Sequence, residues 1–435
     1  MTILGKDDKS IKYEKDHRFI LKDGILSISG VERVNFIKLS KQELESATKI
    51  ILSEDVKVLK DELFKDLKNL KSVEAEGVEV IGAECFKGCV KLESVVLKAT
   101  TFIGHYAFSN CMSLREIDLS KIEVISFNAF SGCSSLESID LRNIKAVEER
   151  AFSSCGRLEE ANLGDIGYID SEVFAGCMSL TRVVAKNATV IRKSSFESCW
   201  KLLDVDIPKA VEIQDKAFAH CKLLKSIQMN DLSVIKKNAF RECVNLEEIV
   251  SSNLSKLDEL AFYKCKKLCS VKTPKLEIIG WRAFEGCESL KEVELPSVEF
   301  IDMSAFKLCN NLNKCVFRNL IEIKTEAFSH CESLKEFDAK SLEIIDARAF
   351  ESTSLIIADF PKLTELGMCA FMRCKELITV NLPILSKVPH FAFDGCGKLT
   401  IVLLDNAKEI KQDSFDSIGN ITMFKVPEEV IYYRE

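Results

Sequence analysis

The feature that most constrains this chain is a phenylalanine that returns every 22 residues. Phe64, Phe86, Phe108, Phe130, Phe152, Phe174 and Phe196 open a column that runs on through Phe218, Phe240, Phe262, Phe284, Phe306, Phe328 and Phe350. One residue is then lost, giving Phe371, and Phe393 and Phe415 follow at 22 again. A fixed period in the twenties, held over seventeen copies, marks a stacked repeat in which each copy contacts only its neighbours. An ordinary chain of 435 residues would split into several globular domains; a repeat stack is one continuous body.

Two rhythms alternate inside a copy. Ile103, Ala107 and Cys111 stand four apart with Phe108 beside them, which predicts a short helix or 3-10 turn with one apolar face. From Leu114 the period drops to two: Ile117 and Leu119 are apolar, Glu116 and Asp118 polar. That is a short strand with one face buried and one exposed. Ile122 and Ile125 then carry the chain back over the core. Identical copies put the strands in parallel register and the phenylalanines in one buried column, each burial contributing about 1.5–3 kcal/mol. The repeats are expected over residues 56–427, with an N-terminal cap over 1–55 and a C-terminal cap over 428–435. Within the first, two apolar runs from Phe19 to Ile28 flank Asp23-Gly24, a hairpin signal. Near the far end, Val426 to Tyr433 reads as a last strand followed by a short amphipathic turn. The first copy is degenerate, with Leu67 in the place of cysteine, as terminal repeats tend to be.

The full pattern, Ile-Gly-x-x-Ala-Phe-x-x-Cys-x-x-Leu-x-x-Val-x-Leu-Pro, is met throughout by Ile279-Gly280-Trp281-Arg282-Ala283-Phe284-Glu285-Gly286-Cys287-Glu288-Ser289-Leu290-Lys291-Glu292-Val293-Glu294-Leu295-Pro296. It resembles the BspA-like leucine-rich repeat. The resemblance implies an α/β leucine-rich-repeat solenoid, curved, with a parallel sheet on the concave side and short helices or 3-10 turns on the convex side. It also implies a surface adhesin or host-interaction protein, the trade of the best-known members.

Charge and termini point elsewhere. The balance of 60 basic and 67 acidic residues leaves a net charge of −7, and the only basic cluster is Lys264-Cys265-Lys266-Lys267, so nucleic acid is not the expected partner. The start, Met1 to Lys9, is charged and lacks the apolar run of a signal peptide, and no 18-residue apolar window predicts a membrane span. The expectation is a cytoplasmic protein, the alternative a surface protein exported without a conventional signal.

Fourteen of the 18 cysteines occupy one column three residues after the phenylalanine, from Cys89 to Cys331 and again at Cys374 and Cys396. Parallel Cβ vectors on rungs about 4.8 Å apart disfavour a disulfide ladder, whose Cβ atoms sit ~3.8 Å apart. Zinc spacing is missing, and a catalytic thiol is not copied fourteen times. The expected role is a small buried hydrophobe whose S–H bonds a neighbouring carbonyl. His17, His105, His220, His330 and His390 fall on different rungs, and neither a phosphate loop nor a nucleophile elbow is present. Gly82, Gly104 and Gly280 belong to the repeat's turns. No catalysis, cofactor or metal is expected.

The outward strand positions, eight and ten residues after the phenylalanine (one fewer after Phe350), carry the functional clue. They hold thirteen acidic residues, among them Glu116, Asp118, Asp140, Glu160, Asp204 and Asp206, against four bases: Arg182, Lys272, Lys314 and Lys425. Glu116, Glu160, Asp204, Glu248, Glu292 and Glu336 recur at 44, with Ser94, Ser138, Arg182, Ser226, Ser270 and Lys314 between them. Two readings stand. A duplicated two-copy block keeps like charges off adjacent strands, with Arg182 and Lys314 pairing to the acids on either side. Alternatively, the face docks a basic protein partner, most strongly at Glu116, Asp118, Asp140 and Glu160. A single acid pair such as Glu116 and Asp118 matches a glycosidase by separation, but six similar rungs argue against one active site.

Overall fold

The computed structural model describes residues 2–3, 11–13, 18–35, 37, 39–229 and 231–433. Most of the charged N-terminal segment and His17 lie outside them. The chain divides into two compact units, Met1–Lys209 and Ala210–Glu435.

In unit 1 each rung carries two short strands. The first, such as Glu116–Ile117, pairs in parallel with the equivalent strand one rung away, Ser94↔Glu116 and Val95↔Ile117. The second, such as Phe102–Ile103, pairs with Val80–Ile81 on one side and Val124–Ile125 on the other. Ile103, Phe108, Cys111, Leu114 and Ile125 from one turn of the chain are all buried. Phe64 through Phe196 stack ring on ring, with centroids 5.2–5.8 Å apart. Backbone pairing sets that spacing, and the rings fill it.

The segment between the two strands is where expectation and structure part. It is no helix. The amides of Tyr106, Phe108 and Asn110 donate to Phe127, Ala129 and Ser131 of the next rung at 3.0, 2.8 and 2.8 Å. Those of Ala107, Ser109 and Cys111 turn inward to Gly104, Tyr106 and Phe108 at 3.2, 3.0 and 3.1 Å. Half the amides thus make a third inter-rung ladder. The chain permits this by placing Tyr106 and Asn110 in the left-handed region, at φ 56° and 61°, which a right-handed helix forbids. Among the described residues the helices are one α-helix, Lys41–Glu45, with a Ser40/Glu43 capping box, and one 3-10 helix, Gln412–Phe415. The α component of the expected α/β repeat is therefore corrected: the rungs are built from strands and turns.

The predicted hairpin is present. Arg18–Lys22 pairs antiparallel with Ile25–Ser29 around Asp23-Gly24, whose φ values of 50° and 77° suit a type I′ turn. Ile25–Ser29 then pairs in parallel with Lys49–Leu52, so the ladder begins upstream of residue 56.

Unit 2 repeats the plan. Its second strands form a continuous parallel ladder from Glu212–Ile213 to Glu365–Leu366, and Phe218 stacks on Phe240 at 5.3 Å. The 21-residue step arises at Thr353-Ser354-Leu355, where other rungs read Cys-x-x-Leu. Thr353 fills the cysteine column and its hydroxyl sits 3.2 Å from Cys374 Sγ. At the far end the expected order is reversed. A turn at Glu428 and Glu429 precedes a strand, Ile431–Tyr433, which pairs with Glu409–Lys411 and so finds backbone partners that a turn would lack.

Candidate functional site

The acidic positions Glu116, Asp118, Asp140, Glu160, Asp204 and Asp206 all lie in unit 1, on the outward face of the first strands. Alternation puts them there: Ile117, Ile139, Ala161, Val183 and Val205 between them are buried, so a period of two turns the acids to solvent. Register places Glu160 between Ser138 and Arg182, and Arg182 between Glu160 and Asp204.

The carboxylates divide into two classes. Arg182 Nε lies 3.2 Å from Asp204, and Lys186 lies 3.9 Å from Asp206. Asp140 is gripped by Arg142 at 2.7 Å and accepts further bonds from its Nε at 2.9 and 3.0 Å. The Arg142 guanidinium holds the Asp140 carboxyl below its ordinary value. Glu116, Asp118 and Glu160 form no ion pair among the described residues. Asp118 is also held below its ordinary value, by hydrogen bonds from Ser120, whose amide is 2.9 Å away.

The first-strand ladder is interrupted beside the unpaired acids, between Glu116–Ile117 and Ser138–Asp140. Asp118 and Asp140 occupy neighbouring rungs there, and like charges in that position repel. Each takes a local donor two residues on, a side-chain alternative to continued pairing. Asp338 and Asp359 accompany a similar interruption in unit 2, although another, between Ser270–Lys272 and Glu292–Glu294, lacks facing acids. A shallow depression of about 420 Å³ opens at the unit 1 interruption, lined by Ser94, Val95, Val96, Glu116, Ile117, Asp118 and Ser138.

The bases that neutralise part of the comb were missed because they lie off the strands. Lys98, Arg142, Lys186, Arg318 and Lys340 share the turn position twelve residues after the phenylalanine. Four of them pair with outward strand acids: Arg142 and Lys186 as above, Arg318 with Glu294 at 3.6 Å and Lys340 with Asp359 at 2.5 Å. That shared turn position was the available signal. Arg182 takes Asp204 alone, and Lys314 takes Glu336 at 3.2 Å alone, each on one side only.

The other sequence features resolve simply. Every column cysteine from Cys89 to Cys199 donates its S–H to the phenylalanine carbonyl 25 residues back, at 3.1–3.3 Å. Burial pushes the Cys133 and Cys177 thiols up to about 12. His105, His220 and His390 each face one carboxylate, Glu148, Glu242 and Asp413, at 3.7, 3.3 and 2.8 Å. Among the described residues no group of three or more His, Cys, Asp or Glu gathers to hold a metal ion, and no helix is long and apolar enough to cross a membrane.

Comparison with known proteins follows the rungs. The profile described as BspA type Leucine rich repeat region matches in six overlapping copies, residues 41–159, 101–225, 145–269, 189–313, 261–378 and 343–435. Among solved structures, a leucine-rich repeat protein from Bacteroides ovatus is similar at 21% identity and TM-score 0.60, over 91% of this chain and 98% of that one. A leucine rich cell surface protein from Faecalibacterium prausnitzii aligns at 19% identity and TM-score 0.33, over 92% and 96%. No curated protein sequence matches.

Proposed function

Since this chain belongs to the BspA-type leucine-rich repeat family, we propose that it is a non-enzymatic protein-binding scaffold that engages a basic partner through the first-strand face of unit 1. The observation that carries this is the trio Glu116, Asp118 and Glu160, which keep exposed charge while Asp140, Asp204 and Asp206 spend theirs on Arg142, Arg182 and Lys186. Unspent carboxylates flanked by serines, beside a depression where the ladder opens, suit a lysine or arginine from a partner. Rim charges of this kind set association rate and salt dependence more than raw affinity.

The test is the triple reversal Glu116→Lys, Asp118→Lys, Glu160→Lys, titrated with a nine-residue Lys/Ala peptide at several salt concentrations. The wild-type protein should bind with an affinity that falls as salt rises. The reversed protein should lose about tenfold or more, whereas Asp204→Asn should change little. Equal binding by wild-type and reversed proteins sinks the assignment.

The same reading puts the protein in the cytoplasm, where thiols stay reduced; eighteen free cysteines support it. Labelling of intact source cells by a membrane-impermeant reagent would overturn that setting and favour a surface adhesin.

A further inference from the structure

The second strands of unit 1 expose a different chemistry. One residue per strand faces outward, and in the unbroken ladder these are Arg33 at its end and then Val58, Val80, Phe102, Val124 and Ala146, paired in register. Strand propensity does not demand this. In unit 2 the same column is mixed, with Glu212, Lys256, Glu322 and Glu365 standing among Val234, Ile278, Phe300 and Ile344. An apolar row of five that no charge interrupts suits a contact surface.

The row deepens at one place. Two residues beyond Val80 and Phe102 stand Gly82 and Gly104, where the next rungs carry Ser126 and Glu148. The glycines are enforced by packing: a Cβ on Gly82 would lie 2.6 Å from Asp61 Oδ1 and 2.7 Å from the Asp61 amide. Without side chains there, the surface sinks into a depression of about 410 Å³, floored by Val58, Val80 and Phe102. That volume is within the range of small-ligand sites. Arg33 and Lys60 stand at one edge, and neither has an ion pair among the described residues. The nearby acid, Asp61, accepts the Ala83 amide at 2.8 Å. An apolar floor is thus bordered by two uncommitted cations.

We propose that this depression docks the C-terminal residue of a peptide ending in phenylalanine. The aromatic ring lies on Phe102 and Val80, and the terminal carboxylate meets Lys60 and Arg33. Charge complementarity selects the carboxylate, and a C-terminal residue carries ring and carboxylate on a single Cα, which suits a floor and a cationic edge one or two rungs apart, about 5–10 Å. The site is separate from the acidic first-strand face and takes a partner of opposite charge.

The probe is acetyl-Gly-Ala-Leu-Phe with a free carboxylate, compared with its C-terminal amide, titrated into the full chain by ligand-observed NMR. The acid should bind and the amide should be about tenfold weaker; Lys60→Glu and Phe102→Ser should each reproduce that loss for the acid. Both positions are exposed, so an unchanged urea midpoint certifies the fold of each variant. The proposal fails if the acid does not bind up to ~10 mM, if acid and amide bind alike, or if binding ignores both variants. Loss of peptide binding on reversing Glu116, Asp118 and Glu160 instead would place the ligand on the first-strand face and overturn this site alone.

Discussion

Cys111 donates its thiol hydrogen to the carbonyl oxygen of Phe86 at 3.1 Å, one rung back, and that carbonyl also accepts the Cys89 amide at 3.2 Å. The thiol engages the second lone pair of a buried acceptor while filling a small apolar space, two jobs that alanine and valine cannot combine. Every cysteine of the column is buried, and the exposed exception in the chain is Cys269, off the column. Titration of native protein with a chromogenic disulfide should therefore reveal one fast thiol, abolished in Cys269→Ser. The remaining seventeen should react only once denaturant opens the rungs. Several fast thiols in the native protein would contradict the column's burial.

The same burial makes stability sensitive to alkali. Cys133 and Cys177 hold their protons up to about 12 in the folded chain, against an ordinary value of 9.0. A thiol bound more tightly to its proton when folded contributes fully below pH 9 and loses that contribution as pH climbs toward 12. Each such thiol steepens the fall by at most about 1.4 kcal/mol per pH unit. In Cys269→Ser, which removes the exposed thiol, the urea midpoint should stay level from pH 7 to 8.5 and drop steeply above 9, with thiolate absorbance at 240 nm appearing only as the protein unfolds. Thiolate absorbance rising in that variant while it is still folded would refute this.

Two phenylalanines separate core from surface. Phe130 is buried between Phe108 and Phe152 at 5.2 and 5.3 Å, so Phe130→Ala should cost about 3–5 kcal/mol. Phe102 faces outward, and Phe102→Ala should stay within about 1 kcal/mol. Comparable losses by chemical denaturation would mean that the stack is not the source of stability.

These pairs also mark how far the amino-acid order reaches. The period fixes the columns, so Phe130 and Cys111 can be assigned to the core, and Glu116 to the outer strand face, without coordinates. The helix expected over Ile103, Ala107 and Cys111 failed because a spacing of four fits a turn of alternating backbone equally well. Tyr106 and Asn110 do not advertise left-handed backbone as glycine does. Gly88, Gly132 and Gly176, at the position of Asn110 in other rungs, were the available hint. At the site, exposure of the acids was readable, but their pairing was not. Arg142 and Lys186 act from turns, and side-chain reach across a turn has no period.

Arg142 offers a direct check on that pairing. It depresses the Asp140 carboxyl, so Asp140 favours the folded state above its ordinary value of 3.8 and gives that up as pH falls through its lower folded value. In Arg142→Gln the Asp140 titration, followed by carboxyl NMR, should move up toward 3.8. The freed acid should also strengthen salt-sensitive binding of the Lys/Ala peptide. An unmoved titration would show that the ion pair is absent in solution.

The left-handed column yields the last prediction. Leu308 occupies it at φ 62° with an exposed side chain, whereas Gly286 and Gly395 hold equivalent positions at 72° and 74°. A left-handed leucine costs roughly 1–2 kcal/mol, and glycine returns part of any gain as unfolded-chain entropy, roughly 0.5–1 kcal/mol. Little burial is lost with the exposed leucine, so Leu308→Gly should stabilise the protein by about 0.5–1 kcal/mol. The reverse change, Gly286→Ala, should destabilise it by about 1 kcal/mol, since its Cβ would also press to 3.3 Å from Lys264 Cγ. Urea midpoints for the two variants should therefore move in opposite directions. A destabilised Leu308→Gly would mean that side-chain contacts, not backbone geometry, dictate which residue this turn accepts.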